Sequence, residues 1–176
     1  IGLNSGSVKD AGSGKSSTLA AITNEINNTQ NKHILTIEDP IEFLIRDKRS
    51  LITQREVGMD AKSFSQALRA GLRQDPDVIL IGEMRDRETI EIALMAAETG
   101  HLVLSTMHTQ DTAQSLNRIL SHFESAQHAQ MRLLLGSVLK AVIGQRLCVR
   151  ANGMGFIPAV EIMLNTSRVR ELIEDP

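Results

Sequence analysis

Residues 12–17 read Gly-Ser-Gly-Lys-Ser-Ser and run into a stretch in which Leu19, Ile22 and Ile26 recur at helical spacing. Glycines at the mouth of a helix let consecutive backbone N–H groups face an anion, and the helix dipole adds partial positive charge there. In such a loop Gly12, Ser13 and Gly14 form the cradle, Lys15 reaches the β- and γ-phosphates, and the hydroxyl of Ser16 reaches Mg²⁺, with Ser17 beside it. The chemistry implied is the binding of a nucleotide with Mg²⁺. One departure stands out: Lys9 occupies the place of the first glycine of GxxxxGK[ST].

Further polar groups follow strand-like runs. Glu38, Asp39 and Glu42 crowd around Pro40, and the proline biases Asp39 toward extended backbone, so the carboxylates leave the strand end together. Glu83 follows the apolar run Val78–Ile81 and Gly82, the usual place for an acid that holds the Mg²⁺ water shell or accepts a proton from attacking water. A surface ion pair of Glu83 with Arg85 or Arg87 is the competing use. His101 and His108 flank a run of Leu, Val and Ser; His108, at the carboxyl end, is placed to reach a γ-phosphate.

The elements that must position these groups alternate. Residues 33–38 and 50–57 read as strands, Ser63 as the cap of a helix beginning near Phe64, and Val78–Ile81 as a buried parallel strand. A helix ending at Gly100, a strand over 101–106 and a helix capped by Asp111 continue the rhythm. Residues 126–147 read as a long helix, 158–163 as a short strand and 167–173 as a final helix. The fold class expected is α/β with a mainly parallel sheet: a core over 1–125 and a small, mostly helical closing subregion over 126–176. Open α/β sheets bind ligands beyond the carboxyl ends of their strands, where these polar groups fall.

Composition narrows the function classes. The 176 residues are 41% hydrophobic and 23% charged, suited to one globular domain. A formal net charge of −2, with four Phe and neither Trp nor Tyr, gives little for base stacking or phosphate tracking, so nucleic acid is not expected as a partner. The single Cys148 excludes an internal disulfide and a multi-cysteine zinc site, and reads as a buried strand residue. No leader-like or membrane-spanning segment is present, and a cytoplasmic setting is the expectation.

The ordered motifs resemble the motor domain of the PilT family of type IV pilus retraction ATPases, within the type II/IV secretion ATPase superfamily. "TIEDPIEF" is similar to its Asp box, "DPDVILIGEMRD" to its Walker B segment and "ETGHLVLSTMHT" to its His box. The resemblance implies a RecA-like core, Lys15 and Ser16 on phosphate and Mg²⁺, Glu42 as the Asp-box carboxylate, Glu83 as the catalytic glutamate and His101 and His108 as the box histidines. It also implies a homo-hexamer in the full-length form. The chain reads as an excised domain lacking the family's N-terminal PAS-like domain, with a pilus platform protein as the contact at the inner membrane. Where that family reads Gly-Pro-Thr, this chain has Lys9-Asp10-Ala11. The zinc module typical of assembly and type II secretion motors is absent between Cys148 and Phe156, and "SRVRELI" is similar to the AIRxLI-type motif of retraction motors, with Arg168 and Val169 in place of Ala and Ile. Retraction is therefore favoured. The alternatives are an assembly or secretion motor without the zinc module, and a ring subunit that binds nucleotide without hydrolysing it.

Overall fold

The computed structural model of the protein describes residues 2–4, 13–109 and 111–175. The chain divides into two compact units, one of residues 16–105 and one of residues 1–15 with 106–176.

The unit over 16–105 is built on parallel strands. These are β2 (His33–Glu38), β3 (Leu51–Glu56), β4 (Val78–Ile81) and β5 (Leu102–Met107), side by side in the order β3-β2-β4-β5. β4 is apolar at every position and buried throughout, because a parallel strand covered on both faces has no polar side to show. On one face, Leu35, Ile37, Ile79 and Ile81 pack against Ala67 and Leu68 of α2 (Phe64–Leu72) and against Ile92, Ala93 and Ala96 of α3 (Arg87–Glu98). Their alternates Ile34, Leu80 and Leu104 are buried on the opposite face, as the period of two requires. Each fully buried aliphatic side chain of this kind stabilises the fold by about 1.5–3 kcal/mol. Gly71 makes the contact of α2 with β2 possible, since a methyl group there would run into the side chain of Leu35.

Helix starts follow the expected caps: the side chain of Ser63 accepts from Gln66 N, Asp86 from Thr89 N, and Asp111 from Gln114 N. α1 (Lys15–Thr29) buries Leu19, Thr23, Ile26 and Asn27. Asn27 is the unexpected member: its amide donates to Arg46 O, and its carbonyl oxygen accepts from Lys48 N and Ser50 N. One buried side chain thus carries the loop that follows Pro40.

In the other unit, β1 (Gly2–Asn4) pairs in parallel with β6 (Ala141–Val149), and β6 pairs antiparallel with β7 (Phe156–Leu164). α4 (Thr112–Leu120), α5 (His128–Val138) and α6 (Ser167–Glu174) complete it. The polar, glycine-containing start of the chain, unlike the aliphatic run usual in a parallel strand, nonetheless forms a strand at Gly2–Asn4. The long helix expected over 126–147 is corrected too: it stops at Val138, and residues 141–149 are a strand. Asn165 Nδ2 ties off the carbonyls of Gly136 and Leu139, and the following Val142, Ile143 and Val149 find a nine-residue antiparallel partner. Tertiary pairing overrides local pattern here. Between the helices 128–138 and 167–174, the closing stretch is a hairpin. Pro158 is accommodated because β7 is an edge strand.

Cys148 lies on a strand as expected, but is exposed: from Arg146 onward, β6 runs past the elements that cover its first half. Among the described residues, no helix is long and apolar enough to cross a membrane.

Candidate functional site

The phosphate-loop residues that the structure describes are Ser13–Ser17; Gly12, and with it Lys9, Asp10 and Ala11, lies outside the described residues. Gly14 has φ +83°, a left-handed conformation natural to glycine and costly for a side chain. Lys15 is the first residue of α1, and Ser16 and Ser17 stand in its first turn. The orphan N–H groups of that turn and the positive end of the helix dipole sit with them. Ser13 is 7% exposed, and its Oγ has no hydrogen-bond partner among the described residues. A buried hydroxyl costs stability unless something accepts or donates to it, so its presence suits a loop made to take a polar guest.

Lys15 Nζ lies 3.0 Å from His108 Nδ1. An ammonium can only donate, so Nδ1 is the acceptor in this contact. A second contact was not legible in the sequence: Gln145, on β6 and 6% exposed, donates from Nε2 to the carbonyl oxygen of Ser13 at 2.8 Å. A methyl group on Gly14 would lie 2.7 Å from that same Nε2.

The acidic groups belong to the unit over 16–105. Parallel register sets Ile37 beside Ile81, so Glu38 and the Gly82-Glu83 pair leave neighbouring strands at the same edge. Gly82 N donates to Ile37 O at 2.8 Å, and a methyl group on Gly82 would come 3.4 Å from Glu38 Cα. Glu38 Oε1 accepts from Thr36 Oγ1 at 2.7 Å and from Gln54 Nε2 at 3.3 Å. Gln54 also accepts from Ile45 N and donates to Phe43 O, and Glu56 Oε2 accepts from Ile41 N. Side chains of β3 thereby shape the loop around Glu42, which is exposed together with Asp39.

Glu83 Oε2 meets Arg85 Nε at 2.7 Å, with the glutamate side chain 18% exposed and the arginine 61%. The surface pairing considered for Glu83 thus exists, though the carboxylate itself is largely covered.

His101 is a different case. Its Nδ1 donates to Ala96 O at 2.8 Å and lies 3.2 Å from Thr99 Oγ1, so it closes the carboxyl end of α3. It stands at the amino end of β5, the opposite edge of the parallel sheet from Glu38 and Glu83.

Comparison with known proteins gives one consistent picture. The type II/IV secretion system protein family matches residues 5–156. The chain is 51% identical over 164 residues to the type IV pilus retraction ATPase PilT of Pseudomonas aeruginosa, covering 93% of this chain and 47% of that protein. It is 52% identical to a twitching motility protein of Neisseria gonorrhoeae over the same share of this chain and 44% of that protein. The crystal structure of the pilus retraction motor PilT with bound ADP superposes with a TM-score of 0.92 at 48% identity, over 99% of this chain and 50% of that one. The chain thus spans about half the length of the relatives it matches.

Proposed function

The chain belongs to the type II/IV secretion system protein family, and on that premise we propose that it is the ATP-hydrolysing motor domain of a type IV pilus retraction machine. The observation that carries this reading is Lys15 at the first residue of α1, behind Gly14 at φ +83° and with its ammonium against His108. The direction of work is supported by two relatives at 51% and 52% identity, one named a retraction ATPase and the other a twitching motility protein.

In this reading the Gly12–Ser16 loop receives the β- and γ-phosphates, Lys15 neutralises charge on them, and Ser17 supports the first turn. Among the described residues no group of three or more His, Cys, Asp or Glu could cage a metal ion; Mg²⁺ suits such a site, since it keeps water and phosphate oxygens as ligands. Ser16 would hold it directly and Glu83 through water; when bound, it draws charge from the β- and γ-phosphates. Glu83 orients the attacking water and accepts its proton, and the exposed Glu42 adds a carboxylate that orients water. His108, released from Lys15 when phosphate takes its place, reports the occupied state. For His101 we propose a supporting role at the α3–β5 turn instead of contact with phosphate. Catalysis then comes from positioning and charge stabilisation. The full-length protein would act as a homo-hexamer, on the cytoplasmic side of the inner membrane through a pilus platform protein, with neither nucleic acid nor zinc involved.

The test is titration of the chain with a fluorescent ADP analogue in the presence of Mg²⁺, beside a Lys15→Ala variant. Binding by the parent, weakened at least about tenfold in the variant, supports the reading. Equal affinity of the two would remove Lys15 from the site.

A further inference from the structure

The contact of β6 with the phosphate loop has a consequence for how the loop is held. Gln145 is buried, and its Nε2 donates to Ser13 O at 2.8 Å. In a trans peptide unit the C=O and the following N–H point in opposite directions. Drawing the Ser13 carbonyl toward β6 therefore turns the N–H of Gly14 away from β6. Gly14 sits at φ +83°, and its missing side chain leaves the space that the Gln145 amide fills, 2.7 Å from where a methyl group would be. A Cβ at this position would collide with the amide that reaches the carbonyl behind it.

We infer that Gln145 is a positioning residue for nucleotide binding, fixing the Ser13–Gly14 peptide so that the Gly14 N–H is presented to a phosphate oxygen. This rests on the nucleotide reading of the loop given above. Gln145 touches no phosphate in this scheme and acts only through the backbone of Ser13 and Gly14. Two features separate it from a core-packing residue. A glutamine is an unusual occupant of a buried strand position, where an aliphatic group would give more from burial. Its amide also reaches a loop carbonyl far away in sequence. A preorganised loop binds more tightly than one that must order when the ligand arrives.

The experiment uses the chain with Gln145→Met, which keeps length and loses the donor, and with Gln145→Glu, which sets an acceptor against the Ser13 carbonyl. Lys15→Ala serves as the control. Titration with a fluorescent ADP analogue and Mg²⁺ is expected to give affinities falling in the order parent, Met, Glu, with the Met variant weaker by about tenfold. Its melting temperature without nucleotide stays within about 4 °C of the parent. Met and Glu variants that bind within twofold of the parent, while Lys15→Ala is weakened, would overturn the inference and leave the nucleotide reading standing. A lowered melting temperature with unchanged affinity would assign Gln145 to packing alone and overturn it equally. No binding by the parent would bring down the nucleotide reading and this inference with it. A measurement on the parent needs no variant to fold: in the ¹⁵N-labelled chain, ADP should shift the Gly14 amide while the Gln145 side-chain amide stays protected from exchange. A Gln145 amide that exchanges freely in the ADP-bound chain would contradict the inference.

Discussion

The ammonium of Lys15 and Nδ1 of His108 lie 3.0 Å apart, with the lysine as the donor. In the proposed function this ammonium neutralises phosphate, which would then have to displace the histidine. Removing the histidine removes a competitor. His108→Ala should tighten ADP binding by about two- to fivefold, the lower range for a hydrogen bond at a partly exposed site, while slowing ATP turnover in the full-length protein. Fluorescence titration and a phosphate-release assay measure both; weaker ADP binding in the variant would show that His108 is a ligand contact and not a rival acceptor.

A second relationship fixes the acid response of the fold. Asp77 accepts from Lys32 Nζ and from His33 N, each at 2.8 Å, joining the starts of β2 and β4. The hydrogen bond from Lys32, then that from the His33 backbone, holds its carboxyl below the usual carboxylate value. A depressed folded-state pKa gives stability that is full above the unfolded value of about 3.9 and is lost as pH falls through the folded one. With both side chains about two-fifths exposed, screening keeps the effect below about 1 kcal/mol. Thermal melts between pH 7 and pH 3 should therefore show a shallower acid decline for Asp77→Asn than for the parent, and parallel curves would count against the assignment.

The packing of α2 on the sheet gives a third expectation. At Gly71 an alanine would improve helix propensity by about 1 kcal/mol, yet its methyl group meets the fully buried Leu35. Overpacking a tight core costs about 1–3 kcal/mol. Gly71→Ala should lower the urea midpoint, and pairing it with Leu35→Ala should recover part of the loss relative to Leu35→Ala alone. A stabilised single variant would show that propensity, and not the Leu35 contact, governs this position.

These residues also show where the sequence was readable. Val78–Ile81 announced a central parallel strand because four apolar residues bounded by Pro76 and Gly82 fit nothing else well. Ser63 and Asp111 announced helix starts because a cap is a local device. β6 was hidden because its apolar residues continue the pattern of α5, and only pairing with β7 decides between helix and strand. Gln145 carries no motif, and its partner lies 132 residues away in sequence. Asn27 and Gln54 are hidden for the same reason: amides that shape the loop around Glu42 look like any polar residue until the chain is folded. His101 shows the converse, a motif position whose ring is spent on the end of α3.

In the proposed function Glu83 accepts the proton of the attacking water. Glu83→Gln keeps the size of the side chain and removes its ability to accept a proton. Steady-state ATP turnover, measured beside ATP affinity in the full-length hexameric protein, tests this most directly. The expected result is affinity within severalfold of the parent and turnover lower by about 10²-fold or more, the range for loss of general base catalysis; a variant hydrolysing ATP at the parental rate would contradict the account.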